Sequence, residues 1–225
     1  MHSKKIIEYH LNLNRYLDKF KLPKGIQWMY PYYEVMTQNI MTSFYKKYYQ
    51  DTYPRRIIFG INPGRFGAGV TGVPFTDPIK LKQRCGIDND LPTKKELSSD
   101  FIYAMIDALG GVENFYHQFY ITSLLPLGLL KGKLNFNYYD DPNVQSSVTP
   151  FIIENIKAQK SLVKSDDRLA YCLGEGKNYQ YFFKLNTEHR FFEEIIPLPH
   201  PRWIMQYRLK KKEEYIQLYK EKLVV

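Results

Sequence analysis

Apolar residues along the chain recur first at helical spacing and then in short uninterrupted runs. The helical spacing covers residues 3–20 and 31–49, which are separated by the breaker-rich residues 22–25. Residues 56–61 then form a short β-branched and apolar run that stops at Asn-Pro-Gly, residues 62–64. The pattern predicts two N-terminal helices followed by the first buried strand.

Three further runs of this kind predict three more strands, at residues 119–122, 169–173 and 194–198. Helical patterns lie between and after them, at about residues 98–109, 147–164, 176–185 and 208–222. Strands that alternate with helices form parallel sheets through right-handed crossovers. We therefore expect an α/β fold, a three-layer α/β/α sandwich with a central, mainly parallel four-stranded sheet. No repeat or linker divides the chain, so residues 1–225 should form one domain, with the helices of residues 1–50 packed on it.

Composition and charge narrow the class of partner. Hydrophobic residues make up 44% of the chain and charged residues 24%, which is typical of a globular domain. The formal net charge is +9 and the pI about 9.3, which favours a polyanionic partner because lysine and arginine displace counterions from phosphates. Nucleic acid is the leading candidate, and a basic but otherwise ordinary enzyme is the alternative.

The sequence shows no signal for a membrane span, for export or for a metal site. No apolar run approaches the roughly 20 residues of a spanning helix. The N-terminus lacks the apolar core of a secretory signal. The two cysteines, Cys85 and Cys172, form no CxxC pair and support neither a zinc site nor an iron–sulfur cluster. We expect a soluble cytoplasmic protein without metal or cofactor.

Ligands of open parallel sheets bind at the carboxyl ends of the strands. The segments in that position are residues 62–75, 123–128, 174–176 and 199–203. Residues 60–75 contain five glycines and two prolines, so their backbone can approach a ligand closely, although they match neither the dinucleotide nor the P-loop pattern. His200 lies between two prolines, which would hold its imidazole in one orientation. Polar groups on these four segments could converge on one pocket.

Three ordered motifs give the chain a specific resemblance. Residues 60–64 (GINPG) with residues 66–67 and 71–75 (TGVPF), and His200-Pro201 far downstream, resemble the two active-site motifs of the single-strand-selective monofunctional (SMUG) type of uracil-DNA glycosylase. Residues 119–127 resemble the base-reading strand of that family, and residues 29–34 its early tyrosine-proline segment. The similarity covers about residues 25–205, in the same order.

The resemblance implies a role for each matching position. Asn62 would hold the attacking water through its side-chain amide, and His200 would donate a hydrogen bond to the carbonyl oxygen beside the glycosidic nitrogen. Phe75 would stack on the flipped base, while the backbone of Ile61 and Gly64 would line the pocket. The base leaves as an anion, so a preorganised donor and a held water stabilise the transition state. Neither a metal nor a lysine nucleophile is implied, which favours hydrolysis without strand cleavage.

Other matching positions would contact DNA outside the base pocket. Arg65 and Arg202 are candidate phosphate ligands. Trp203, with residues 204–205, stands where the family places a loop that enters the duplex and fills the gap left by the flipped base. The alternative for Trp203 is simple packing in the core.

Three departures from the family pattern bear on specificity. Ser123 replaces the asparagine that reads the imide edge of uracil, and a hydroxyl is shorter and offers a single donor. Arg65 replaces a proline, and Arg202-Trp203 replace part of a Ser-Pro-Arg-Asn run. These differences indicate a divergent branch, with a preference for xanthine or hypoxanthine as one possibility.

The leading hypothesis is a monofunctional DNA glycosylase that flips uracil or another deaminated base out of DNA and starts base excision repair. One alternative is a catalytically weak or inactive DNA-binding module of the same fold. Another is an enzyme that acts on a free nucleoside or nucleotide. We expect a monomer that acts on damaged DNA, at the nucleoid if the source is bacterial.

Overall fold

The computed structural model describes residues 1–93 and 95–223. Its strands are β1 (Ile26–Met29), β2 (Arg56–Gly60), β3 (Phe119–Ser123), β4 (Gly128–Lys131), β5 (Leu134–Phe136), β6 (Leu169–Leu173) and β7 (Glu194–Leu198). Its α-helices are α1 (His2–Leu11), α2 (Val35–Tyr48), α3 (Ala68–Thr71), α4 (Pro78–Gln83), α5 (Leu97–Ala108), α6 (Gly111–Gln118), α7 (Pro142–Val163), α8 (Lys177–His189), α9 (Pro201–Tyr207) and α10 (Lys212–Leu223). Within these residues, no helix is both long enough and apolar enough to cross a membrane.

The central sheet has four parallel strands in the order β3-β2-β6-β7. Strand β2 lies in the middle, where Ile58 pairs with Ile121 on one side and with Tyr171 on the other. Ile57, Ile58 and Phe59 are fully buried, because a strand in the middle of a parallel sheet is covered on both faces. The predicted α/β fold with a parallel four-stranded sheet is confirmed.

The connections between these strands place helices on both faces of the sheet. The path from β2 to β3 contains α5 and α6, the path from β3 to β6 contains α7, and the path from β6 to β7 contains α8. The connection from β2 to β3 leads toward the β3 edge of the sheet, whereas the other two connections lead toward the β7 edge. Right-handed crossovers therefore put α5 and α6 on one face and α7 and α8 on the other. Helices α9 and α10 pack against α5 and complete its layer.

A second sheet, which the sequence pattern did not predict, supports the glycine-rich loop. Strands β1, β4 and β5 form an antiparallel sheet in the order β1-β4-β5. Met29 at the end of β1 fills the space beside Gly69 and Gly128, where added Cβ atoms would lie 2.7 and 2.2 Å from its Cε. The small sheet thus packs directly on the loop that follows β2.

Several predicted helix limits were wrong. The helix predicted for residues 3–20 ends at Leu11, where the Asn12 amide binds the Glu8 carbonyl, and a 3-10 helix follows. The helix predicted for residues 31–49 begins at Val35, after a 3-10 turn at Pro31–Tyr33. Helix α7 begins five residues before the predicted residue 147, because Asp141 caps its N-terminus. Helices α6 and α9 were not predicted.

Candidate active site

A cavity of about 610 Å3 opens at the carboxyl ends of the four parallel strands. It lies between β2 and β6, the neighbouring strands from which the chain continues to opposite faces of the sheet. Ligands are expected at this point in such sheets. Each strand contributes to the wall, through residues 61–64 after β2, Ser123 at the end of β3, residues 174–178 after β6 and residues 199–200 after β7. The segments that the strand pattern singled out therefore share one pocket.

The side-chain amide of Asn62 is fixed by the backbone beyond β5. Its Nδ2 donates to the carbonyl of Phe136 over 3.0 Å, and its Oδ1 accepts from the amide of Tyr138 over 3.3 Å. A carbonyl oxygen has two lone pairs, so Oδ1 can accept one more hydrogen bond. Asn62 lines the cavity with its amide oriented and with capacity left for a water molecule.

His200 caps the N-terminus of α9. Its Nδ1 accepts a hydrogen bond from the backbone amide of Arg202 over 3.1 Å. A ring nitrogen that accepts cannot carry the proton, so the neutral ring has its proton on Nε2. Burial and then the nearby Arg202 charge lower the pKa of His200 to about 4. At neutral pH the ring is therefore an uncharged donor through Nε2.

Two neighbouring elements, α10 and the end of β6, contact the loop that carries His200. The carbonyl of Pro199 accepts a hydrogen bond from the hydroxyl of Tyr219, in α10. Gly174 lies beside the imidazole, since an added Cβ would be in ordinary van der Waals contact, 3.9 Å from Cδ2 of His200, and its φ of +107° favours glycine. The histidine loop is thus held by a hydrogen bond from α10 and packs beside the end of β6.

Phe75 and Ser123 both lie close to Gly60 in the cavity wall. A Cβ on Gly60 would lie 3.0 Å from Cε2 of Phe75 and 3.4 Å from Oγ of Ser123. The Phe75 ring lies 6.1 Å from the imidazole of His200, centroid to centroid. Phe75 has a φ of +53°, a strained conformation for a side chain of this size that aims its ring into the pocket.

Ile61 and Gly64 also line the cavity, whereas Arg65 does not. The carbonyl of Ile61 accepts from the amide of Leu125, which extends the β2–β3 ladder past the strand ends. The backbone amide of Arg65 donates to Oδ1 of Asn135, and its guanidinium lies 4.3 Å from the ring centroid of Phe66. Arg65 therefore stands beside the pocket rather than in its wall.

Arg202 and Trp203 lie at the mouth of the cavity, in α9. Trp203 is 39% exposed, and the edge of its ring meets Tyr215 while Arg208 lies over its face. The segment expected to be an insertion loop is instead a helix. It begins at Pro201, and proline is favoured at the first position of a helix. Ile204 is fully buried in the core, so it cannot enter a duplex.

The structure adds pocket residues that the sequence motifs missed. They are Glu96, Ser98, Asn135, Asn137, Tyr139, Lys177, Asn178, Gln206 and Tyr207. Most come from the segment before α5, from the β4–β5 hairpin and its continuation, and from α8 and α9. Within residues 1–93 and 95–223, no three His, Cys, Asp or Glu side chains are grouped so that they could hold a metal ion.

Comparison with known proteins agrees with this geometry. The sequence matches the uracil DNA glycosylase superfamily over residues 46–224, and the chain therefore belongs to that superfamily. It is similar to wild-type Pedobacter heparinus SMUG2, whose crystal structure superposes with a TM-score of 0.93 at 43% sequence identity, covering 98% of this chain and 96% of that chain. No curated protein sequence matches it. The SMUG-type resemblance is confirmed, and the chain has a uracil DNA glycosylase function.

Proposed function

We propose that the chain is a monofunctional DNA glycosylase that binds a flipped uracil or another deaminated base and hydrolyses its N-glycosidic bond, the first step of base excision repair. The observation that supports this best is that Asn62, Phe75, Ser123 and His200 line one cavity at the strand ends. A cavity of about 610 Å3 is in the usual range for small-ligand sites, so it has room for a base and its sugar.

Asn62 and His200 would act on the two partners of the hydrolysis. The free lone pair of Asn62 Oδ1 would hold the attacking water, since its other hydrogen bonds already fix the amide. The Nε2–H of His200 would donate to the carbonyl oxygen on which negative charge develops as the base leaves. A neutral donor oriented before the reaction lowers the barrier without reorganisation. The water then adds to the anomeric carbon, and the base departs as an anion with the electron pair of the glycosidic bond. The proton that the water loses passes to solvent, and the released base takes one up from solvent.

Phe75 and Ser123 would select the base. Phe75 would stack on its face, and the hydroxyl of Ser123 would meet one polar group of its edge. A single hydroxyl pairs fewer edge groups than an amide would, so a base other than uracil can compete for the site. Xanthine and hypoxanthine are the bases to compare with uracil.

DNA outside the pocket would be bound by Arg65, Arg202 and Trp203. Arg202 and Trp203 lie at the cavity mouth, and the net charge of +9 favours phosphate contacts. We propose that residues 1–225 act as one domain, as a monomer without cofactor in the cytoplasm, on nucleoid DNA if the source is bacterial. An inactive DNA-binding module would have no need for an oriented Asn62 beside a neutral His200 donor.

The test is a glycosylase assay on otherwise identical oligonucleotides that carry uracil, hypoxanthine, xanthine or a normal base. Alkali is added to cut abasic sites, and Asn62→Ala and His200→Ala are run in parallel. Release of one base, lost in both variants, supports the proposal. Binding of DNA without release of any base favours the binding module, and release from free nucleosides with salt-independent binding favours the nucleoside enzyme.

A further inference from the structure

The carboxyl group of Glu96 lies in the cavity wall, directly against the backbone of the glycine-rich loop. Glu96 immediately precedes α5 and lines the cavity. A Cβ on Gly67 would lie 2.0 Å from its Oε2, and one on Gly64 would lie 3.6 Å from its Oε1. Oε2 is buried and has no hydrogen-bond partner among the residues that the structure describes. An ionisable group with an unsatisfied oxygen thus occupies the loop that would bind a nucleotide.

The charged groups near Glu96 come from α4, from α9, from the start of α5 and from the glycine-rich loop. Asp77, at the start of α4, accepts the backbone N–H of Glu96 over 3.1 Å. Arg202, in α9, attracts the carboxylate through space. Lys95 is turned to Asp100 in α5, 3.3 Å away, and Arg65 lies over Phe66. Burial and the Asp77 carboxylate raise the pKa of Glu96 to about 7, while Arg202 lowers it.

A phosphate at Arg202 would change this balance in one direction. It would pair with the guanidinium of Arg202, which otherwise favours the Glu96 carboxylate, and it would add negative charge at the cavity mouth. Both effects favour the protonated carboxyl. The protonated form also has an O–H, so a carboxyl group in the cavity wall can donate to an acceptor of the nucleotide, which a carboxylate cannot do.

We propose that Glu96 is a further substrate-binding residue of the cavity wall, a carboxylate in the free protein and a neutral carboxyl in the DNA complex, so that DNA binding takes up a substantial fraction of one proton. This inference rests on the proposed function, because it requires a phosphate beside Arg202. The proton comes from solvent, and no covalent bond of the DNA changes. Since His200 is already neutral above its pKa of about 4, it does not contribute to proton uptake near neutral pH.

The test measures binding of a duplex with one 2′-fluoro-2′-deoxyuridine, whose glycosidic bond resists hydrolysis. Fluorescence anisotropy gives Kd at constant ionic strength for the wild type, Glu96→Gln and the control Glu188→Gln, which alters an exposed glutamate at the far end of α8. We expect the wild-type Kd to rise up to about tenfold from about pH 6 to about pH 8.5, which corresponds to a shift of roughly one pKa unit on binding. Glu188→Gln should follow the wild type, and Glu96→Gln should bind tightly at every pH.

A second measurement needs only the wild-type protein. Calorimetric titration with the same duplex at about pH 7.5, in two buffers of different ionisation enthalpy, gives the number of protons taken up. Uptake of a substantial fraction of one proton supports the proposal, and no uptake overturns it. A Glu96→Gln Kd with the same pH dependence as the wild type also overturns it. Release of uracil, hypoxanthine and xanthine from ordinary duplexes is measured on the same samples, so release of any of these bases without linkage rejects only this inference, whereas release of none of them contradicts the proposed function.

Discussion

The backbone amide of Arg202 donates a hydrogen bond to Nδ1 of His200 over 3.1 Å, and this one contact decides which ring nitrogen carries the proton. The imidazole is thereby both the cap of α9 and, through Nε2, the donor that faces the cavity. Because the donor is the backbone amide two positions downstream, the first turn of α9 itself fixes the tautomer.

We expect His200 to be neutral and protonated on Nε2 from about pH 6 to about pH 8, since its pKa is lowered to about 4. Nitrogen-15 NMR of histidine-labelled protein distinguishes the two tautomers and the imidazolium, with His200→Asn to assign the signal. The single-turnover rate of base release should therefore show no loss from His200 protonation until below about pH 5. An imidazolium signal at pH 6, or a proton on Nδ1, would exclude the proposed donor role.

Asn62→Ala should lower base release by about 10²-fold or more, because the attacking water loses its acceptor. It should also cost about 1–3 kcal/mol of unfolding free energy, because the Phe136 carbonyl and the Tyr138 amide lose their partner. Single-turnover kinetics and urea unfolding measure the two effects. The matched control is Asn137→Ala, another asparagine of the cavity wall. If both variants lose activity equally, Asn62 has no special role.

Gly60→Ala tests the contact between the strand end and the stacking ring. The new Cβ would lie 3.0 and 3.1 Å from two atoms of the Phe75 ring, so the ring must shift from the position in which it would stack on the base. We expect kcat/KM to fall by about tenfold or more, because small displacements of positioning groups are costly. The control is Gly176→Ala, in the same cavity wall, where nothing lies within 4 Å of the added atom. Equal rates for the two variants would show that the ring position is unimportant.

The parts that the sequence predicted well are those determined by local patterns. The four central strands are mostly apolar, and Asn62 and His200 each lie two residues after the end of one of them. The strand pattern and the turn residues therefore indicated where both side chains lie. Strands β1, β4 and β5 are only three or four residues long and partly exposed, so they leave no readable alternation. The sequence pattern therefore could not predict that the residues at the end of β5 orient Asn62.

Residues that reach the pocket through tertiary packing could not be found in this way. Glu96 comes from a segment between two helices, and Asn135 from the β4–β5 hairpin, so neither follows a central strand. The expected loop conformation of residues 203–205 was wrong for a related reason, whereas the contact of Trp203 with DNA stays a prediction. Pro201 begins a helix there, and packing against α5 turns Ile204 into the core.

Glu96→Gln should stabilise the protein at alkaline pH and leave it nearly unchanged in acid. The pKa of Glu96 is raised from 4.5 to about 7 in the folded protein, so the unfolded chain loses this proton at lower pH than the folded chain does. Below about pH 4.5 both states are protonated and nothing is lost. From about pH 4.5 to about pH 7 the unfolded chain is ionised while the folded protein still holds its proton, so the stability falls across this range. Above it the folded protein holds a buried carboxylate beside Asp77 and stays at the lower stability. Removing that charge should raise the unfolding free energy at pH 8 by about 1–3 kcal/mol, reduced from the full shift because the site borders solvent. Thermal unfolding should show Tm higher than the wild type by several degrees at pH 8 and equal to it at pH 4.5. A constant difference at both values would mean that the effect of the substitution does not come from ionisation of Glu96.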